Sequence, residues 1–140
     1  MFYGWRSPII QQENFEKIRQ QLGLAESDDV DTLEIIHKSI AVPEVAGHPT
    51  GGAVDVQLVT RDKKILLDMG TARHNFSEDS YTFSPFINTT AKTNRSLLRT
   101  AMLRAGFAPY DGEWWHFSYG DREWAAWYKQ PESLYSPVLI

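Results

Sequence analysis

The sequence predicts an α+β fold in which helices flank a small antiparallel sheet. Two segments have the apolar spacing of amphipathic helices, and the segments between and after them alternate as neighbouring strands do. The chain shows no regular β-α-β alternation, which is the pattern of a parallel sheet. We expect one domain over residues 1–140, because the chain contains no repeat and no linker rich in Gly, Ser or Pro.

The first helix is predicted to begin after Ser7-Pro8. Ser is a favoured N-cap, and Pro fits the first helical turn because that turn leaves its backbone N–H groups unused. Gly23 ends the pattern, as glycine commonly does at a helix C-terminus. One stripe of this helix carries the apolar side chains of Phe15, Ile18 and Leu22.

Residues 28–40 fit two interpretations. Their apolar spacing favours a short helix capped by Asp28. The β-branched residues in the same segment favour instead a helical turn that leads into a strand. Pro43 ends the element in either case.

A hairpin is predicted in the middle of the chain. Gly51-Gly52 opens the alternating run AVDVQLVT, RDKK forms the turn, and ILLDM returns as the second strand. A second long helix then runs through NRSLLRTAMLRAG, capped by Thr90 or Thr93 and ended by Gly106. Two aromatic-rich segments complete the prediction as further strands, residues 107–118 and 123–128.

The composition excludes several classes of site and partner. The formal net charge is −4, which argues against binding to nucleic acid or to anionic membranes, since such proteins carry an excess of Lys and Arg. The chain has no Cys, which excludes disulfides, thiolate nucleophiles, iron–sulfur clusters and Cys-type zinc fingers. Any metal ion must therefore be held by His and carboxylate side chains.

The sequence also bears on location. No stretch reaches the ~20 apolar residues that a membrane-spanning helix needs. The first residues, MFYGWRSP, lack the basic and apolar regions of a signal peptide. We expect no membrane span and a cytoplasmic location, with the periplasm as the alternative if a signal has been removed.

The first candidate site lies in residues 47–55. His48 and Asp55 are seven positions apart across Gly51-Gly52. The glycines allow a tight reversal, so a His on the incoming loop and an Asp on the outgoing strand can converge. Such a pair fits a metal site, and it also fits a surface or hydrogen-bonded His–Asp pair.

The second candidate site is the run Glu113-Trp114-Trp115-His116. On a regular strand, Glu113 and His116 would face opposite sides, but a bend could place Glu113 beside an ion held by His116. Neighbouring Trp side chains would raise the pKa of the carboxyl, as a general base working near neutral pH requires. The alternative is a core pair of Trp residues whose polar neighbours face solvent.

The third candidate is Arg6, which stands between Trp5 and Ser7-Pro8 at the start of the first helix. Its neighbours restrict its direction, so its guanidinium could point at an oxyanion. An Arg in this position is also commonly just solvated.

Together these segments resemble the zinc D-alanyl-D-alanine dipeptidases, including those of glycopeptide resistance. The likeness rests on His48 with GxAxD ending at Asp55, on EWWH, on the aromatic-Arg-x-Pro start, and on LLDMGT and NRSLLRTAMLRAGF. It covers nearly the whole chain in the right order. The resemblance implies a Hedgehog/D,D-peptidase-like fold, which zinc D,D-peptidases share with the Hedgehog signalling domain.

The resemblance also implies one Zn²⁺ per chain, bound by His48, Asp55 and His116. It makes Glu113 the general base and gives Arg6 the role of stabilising the transition state. Two imidazoles and one carboxylate leave a coordination position open, which is typical of catalytic rather than structural zinc. The residues expected to contact the substrate are His74, Asp68 and Trp115.

The sequence departs from the family pattern in several places. Ala46 stands where the family usually has Ser, and Gly47 stands where it commonly has Arg. His74 replaces an acid suited to bind the free ammonium of a dipeptide, a role that Glu78 or Asp79 could take over. The front part of longer relatives, roughly 60 residues, is also missing, so we expect an N-terminally shortened domain.

Three functions are consistent with these observations. The first is hydrolysis of D-Ala-D-Ala or a related small dipeptide. The second is a D,D-carboxypeptidase or endopeptidase that acts on cell-wall peptides, favoured by the missing acid. The third is a zinc-stabilised binding module without turnover, although Glu113 argues against it because a structural site needs no base.

Overall fold

A three-stranded antiparallel sheet carries two residues of the candidate site, Asp55 and His116. The computed structural model describes residues 4–24, 27, 29–37 and 39–139. The strands are β1 (Ala53–Asp55), β2 (Ala108–Pro109) and β3 (His116–Ser118), in the order β1-β3-β2. The helices are α1 (Pro8–Gln21), α2 (Val30–His37), α3 (Thr89–Arg104) and α4 (Arg122–Trp127). The predicted α+β class with an antiparallel sheet is confirmed.

The register of the sheet sets the geometry of the site. β3 is the central strand, and its pairing with β1 places Asp55 directly opposite His116. β2 and β3 form within the segment predicted as one strand, and a pair of turns at 111–115 separates them. Glu113 therefore lies in a bend immediately before β3 and not on a regular strand.

Helix α1 matches its predicted bounds. The Ser7 hydroxyl accepts a hydrogen bond from the backbone N–H of Ile10, and Pro8 occupies the first turn. Gly23 adopts the left-handed conformation that ends the helix. Phe15 of the predicted apolar stripe is buried, but Leu22 is 46% exposed, so the stripe is shorter than predicted.

Helix α2 settles the ambiguous segment in favour of a helix. Ile36 of this helix is fully buried. Packing of an apolar helix face stabilises the helix and outweighs the strand preference of the β-branched residues. The predicted cap at Asp28 lies outside the described residues. At the other end, the His37 ring accepts a hydrogen bond from the backbone N–H of Val42.

The predicted hairpin is present in reduced form. β1 spans three residues, and beyond it a single antiparallel bridge joins Val59 to Leu66. The backbone N–H of Thr60 donates to the carbonyl of Ile65 across the turn.

Two predictions about helices were wrong. Helix α3 is capped by Asn88, whose side chain accepts from the N–H of Ala91, and not by Thr90 or Thr93. The segment 123–128 is helix α4 and not a strand, because Asp121 caps its first turn by accepting from the N–H of Trp124. Local capping outweighs the strand preference of the aromatic residues.

The hydrophobic core lies between the sheet and α3. Its buried members are Met69, Leu98, Trp114, Trp115 and Phe117. Among the residues that the structure describes, no helix is both long enough and apolar enough to cross a bilayer.

Candidate metal centre

Three side chains from two parts of the chain converge beside the sheet. They are His48, Asp55 and His116, and one ligand atom from each lies within 4.8 Å of the others. His48 begins a short 3₁₀ turn, and Gly51 reverses the chain after it with a φ of 75°. This reversal returns the chain into β1, so that Asp55 faces His48, as the two glycines predicted.

Asp55 is the common partner in this cluster. Its Oδ1 lies 3.4 Å from His48 Nε2 and 3.3 Å from His116 Nδ1, and the residue is 1% exposed. A carboxylate is expensive to bury unless charged or polar partners surround it. Two imidazole nitrogens and one carboxylate oxygen around a small space fit a divalent cation, and the donor types suit zinc among others.

In both His48 and His116, the ring nitrogen that points away from Asp55, the outer nitrogen, also has a polar partner. His48 Nδ1 lies 2.7 Å from the carbonyl oxygen of Gly4, which can only accept, so Nδ1 carries the proton. His116 Nε2 lies 3.3 Å from Glu123 Oε2. In each ring the outer contact leaves the inner nitrogen facing Asp55, the arrangement in which histidine binds a metal.

The electrostatics of the cluster follow from these contacts. Burial alone would raise the pKa of Asp55, but its contacts with the imidazoles of His116, His48 and His74 outweigh burial and lower that pKa. Burial opposes charge on His116 too, yet its contacts with Asp55 and Glu123 raise its pKa well above the usual value. A metal ion entering the cluster would have to displace a proton from His116.

His74 lies at the edge of the cluster. Its Nε2 is 3.0 Å from Asp55 Oδ2, whereas the contacts given above for His48 and His116 are with Oδ1. Its ring packs edge-on against Trp115 at 5.8 Å and parallel to Phe76 at 6.4 Å. The backbone of His74 has a φ of 60°, and its side chain is 45% exposed. The side chain at position 74 thus faces the candidate cluster.

Glu113 faces the same space from the bend before β3. Its N–H donates to the carbonyl of Tyr110, and its own carbonyl accepts from the N–H of His116. These two turns bring its carboxyl toward the cleft beside the cluster. Burial raises the pKa of Glu113, with the nearby charge of Asp55 acting in the same direction. This is the environment that a general base requires.

Arg6 is fixed beside the cluster by α1. Its backbone N–H donates to the carbonyl of His48, and its Nη1 donates to Gln11 Oε1 at 2.8 Å. Gln11 is itself buried and donates to the carbonyl of Ala41. The guanidinium is therefore held at the cleft and is not simply solvated.

These residues line one cleft of about 550 Å³. The cluster, Glu113 and Trp115 lie at one part of it, and the cleft continues along α1 past Asn14 and Lys17. A pocket of this size is in the range that binds small organic molecules and short peptides.

Asp68 is not brought to the cleft. Its carboxylate accepts hydrogen bonds from the N–H of Gly70 and from the side chain of Asn88, near the start of α3. Glu78 and Asp79, the suggested substitutes for the missing acid, do not line the cleft either.

Gly47 has a structural reason for lacking a side chain. A Cβ at this position would overlap the carboxylate of Asp121 and approach Ala53 to 2.9 Å. Asp121 is the buried N-cap of α4, so a larger side chain at position 47 has no space here.

Sequence reasoning missed Glu123, whose carboxylate contacts both His116 and Ser118. Burial would raise the pKa of Glu123, but the hydrogen bonds from these two residues lower it. The segment had been predicted as a strand, which concealed the contact. The capping sequence Gly-Asp-Arg-Glu, which starts a helix directly after β3, could have indicated it.

Comparisons with known proteins find related sequences. A family model described as D-ala-D-ala dipeptidase matches residues 20–134, a range that includes the cluster and Glu113 but not Arg6. A D-alanyl-D-alanine dipeptidase of Synechocystis sp. is 38% identical over 94 residues, 59% of this chain and 38% of that protein. One of Enterococcus faecium is 33% identical over 89 residues, 64% of this chain and 44% of that protein.

A third relative with the same name, from Escherichia coli K12, is 36% identical over 72 residues. That match covers 51% of this chain and 37% of the relative. The chain thus spans less than half the length of the curated relatives it matches.

Proposed function

The chain belongs to the D-ala-D-ala dipeptidase family, and on that premise we propose that it is a zinc metallopeptidase that hydrolyses D-alanyl-D-alanine or a closely related small dipeptide. The observation that supports this most is the cluster of two imidazoles and one buried carboxylate with Glu113 facing the same cleft. Four curated relatives carry the name D-alanyl-D-alanine dipeptidase.

The proposed ligands of one zinc ion per chain are His48, Asp55 and His116. When bound there, zinc would supply Lewis acidity toward the peptide carbonyl and lower the pKa of water. The fold would be the one that zinc D,D-peptidases share with the Hedgehog signalling domain, which the small antiparallel sheet flanked by helices supports.

Glu113 would act as the general base. Its burial keeps the pKa of its carboxyl raised, so it can take a proton from the attacking water and return it to the leaving amine. Arg6, held by Gln11 at the cleft, would place its guanidinium near the oxygen on which negative charge develops. His74 and Trp115, which line the same cleft, would contact the substrate.

Replacement of Glu113 tests this mechanism. Glu113→Gln should retain bound metal and lose roughly 10²–10⁴-fold in kcat, because general base catalysis contributes about that much. Activity and metal content should be measured on the same preparations. Glu132→Gln is the matched control, because Glu132 is exposed and lies outside the cleft, and it should leave both unchanged. Wild-type activity in Glu113→Gln would overturn the proposed role of Glu113.

A second candidate function is cleavage of longer cell-wall peptides. Two points favour it: the resemblance places His74 where the family has an ammonium-binding acid, and the cleft continues along α1 beyond the cluster. Comparison of free D-Ala-D-Ala with an N-acetylated peptide ending in D-Ala-D-Ala separates the two. Cleavage of the free dipeptide alone supports the first function, and cleavage of the capped peptide supports the second.

A further inference from the structure

Glu123 has no part in the mechanism above, yet its side chain reaches the candidate metal centre. It lies in the first turn of α4, whose start is fixed by the cap that Asp121 provides to the N–H of Trp124. From this turn its carboxylate returns to β3 and borders the same cleft as His116.

The carboxylate bridges two residues of β3. His116 and Ser118 are two positions apart, so both side chains project from the same face of the strand. Ser118 Oγ donates to Glu123 Oε2 at 3.0 Å, and His116 Nε2 lies 3.3 Å from the same oxygen. Because Ser118 is fully buried, it anchors the carboxylate at a fixed distance from the imidazole.

This contact decides which nitrogen of a neutral His116 carries the proton and which one presents its lone pair to the cluster. A carboxylate accepts hydrogen bonds, so the proton of a neutral His116 is held on Nε2 and the lone pair lies on Nδ1. Nδ1 is the atom 3.3 Å from Asp55 Oδ1. The carbonyl oxygen of Gly4 has the same effect on His48. It accepts from Nδ1, so Nε2 presents its lone pair to Asp55.

We propose that Glu123 is a positioning residue, which orients the imidazole of His116 so that Nδ1 can bind the metal ion. This inference rests on the proposed metal-dependent function. Outer contacts of this kind typically contribute 10–100-fold to metal affinity, because they fix the direction and increase the basicity of the ligand.

The test compares Glu123→Ala and Glu123→Gln with the wild type and with the exposed control Glu132→Gln. The readouts are the zinc dissociation constant, from competition with a chelator, and the visible absorption spectrum of the Co²⁺-loaded protein. We expect Glu123→Ala to bind zinc roughly 10–100-fold more weakly and to show an altered Co²⁺ spectrum. Glu123→Gln should bind more tightly than Glu123→Ala, because an amide oxygen can still accept from Nε2.

Wild-type zinc affinity and an unchanged Co²⁺ spectrum in both variants would overturn the proposal. A rise in KM with unchanged zinc affinity would also overturn it and would make Glu123 a substrate-binding residue. Failure of the wild-type protein itself to bind zinc would refute the proposed function. This outcome differs from failure of the Glu123 proposal, because the wild type and the Glu132→Gln control would then both fail to bind zinc.

Discussion

Asp55 shows how a single residue organises the candidate site. Both of its carboxylate oxygens meet imidazole nitrogens, Oδ1 those of His48 and His116, and Oδ2 that of His74. In the proposed centre Oδ1 would share the metal ion with the first two. The third contact comes from His74, a departure from the acid that the resemblance implies at this position.

A substitution at position 74 tests what that departure does. His74→Asp should lower KM for free D-Ala-D-Ala roughly tenfold or more, because a charge-assisted hydrogen bond to the ammonium contributes about 1.5–3 kcal/mol. Asp tolerates the positive φ of this position better than most residues. Steady-state kinetics with free and N-acetylated peptides measures the effect.

His74→Asn is the matched control, since it also removes the imidazole and tolerates the same backbone conformation but adds no charge. It should not show the decrease in KM. An equal change for free and N-acetylated peptides in His74→Asp would contradict recognition of the ammonium at this position.

The residues of the cluster could be predicted from the sequence more readily than their surroundings. The Gly51-Gly52 pair indicated that His48 and Asp55 converge, the EWWH run indicated Glu113 and His116, and the resemblance joined the two segments into one site. Neither indicated Glu123 or the burial of Gln11 behind Arg6. Those contacts depend on how separate elements pack, and no local periodicity encodes them.

At the scale of elements, the start of α3 is tied to the loop before it through Asp68. Its carboxylate accepts from Asn88, the N-cap of α3, and from the N–H of Gly70, and its carbonyl accepts from the Asn94 side chain. Asp68 was expected to contact substrate. In the structure its side chain instead accepts hydrogen bonds near the start of α3.

This arrangement predicts a dependence of stability on pH. The hydrogen bonds from Asn88 and Gly70 lower the pKa of Asp68 in the folded state. Its contribution is therefore present above its ordinary pKa and is lost as the pH falls through the lowered one. The free energy of unfolding, measured between pH 2 and 6, should decline less steeply in Asp68→Asn than in the wild type. Parallel declines would contradict this account.

Helix α3 also depends on a buried cation. Arg95 is 1% exposed, and its guanidinium donates to the carbonyls of Met69 and Tyr81, each at 2.7 Å. It also lies 5.7 Å from the centre of the Trp114 ring. A single side chain thus joins α3, the loop that carries Met69 and the core.

Arg95→Met should destabilise the protein by at least about 1–3 kcal/mol, because the buried carbonyl of Met69 would lose its donor at about that cost, and the part-buried carbonyl of Tyr81 would lose its donor as well. Chemical denaturation measures the change. Arg104→Met is the control on the same helix, since Arg104 is exposed, and it should change stability by no more than about 0.5 kcal/mol. Equal effects of the two substitutions would show that the contacts of Arg95 contribute nothing specific.

The elements differ in how far the sequence predicted them. Helix α1 was predicted to its ends, because Ser7-Pro8 and Gly23 are local signals that act on the backbone directly. The segment of helix α4 was predicted as a strand from the aromatic residues around Trp124, and the cap at Asp121, which starts the helix, was not part of that prediction. The strands are shorter than the alternating runs suggested, since pairing with β3 and not alternation sets their length.

At the scale of the whole molecule, the candidate centre exists only when the fold is complete. Its members come from a turn before β1, from β1, from the bend before β3 and from β3, with Arg6 added by the start of α1. The residues that would bind the metal are therefore apart in the unfolded chain. Metal binding and folding should be coupled, as in other proteins whose ligands lie far apart in sequence.

On the proposed function, this assembled centre would hydrolyse D-Ala-D-Ala with the help of a bound metal ion. The most direct measurement is the release of free D-alanine from D-Ala-D-Ala by protein that has been stripped with a chelator and then reloaded with zinc. We predict release by the reloaded protein and none by the stripped protein. Release that is equal with and without the metal, or no release by zinc-loaded protein, would contradict the account.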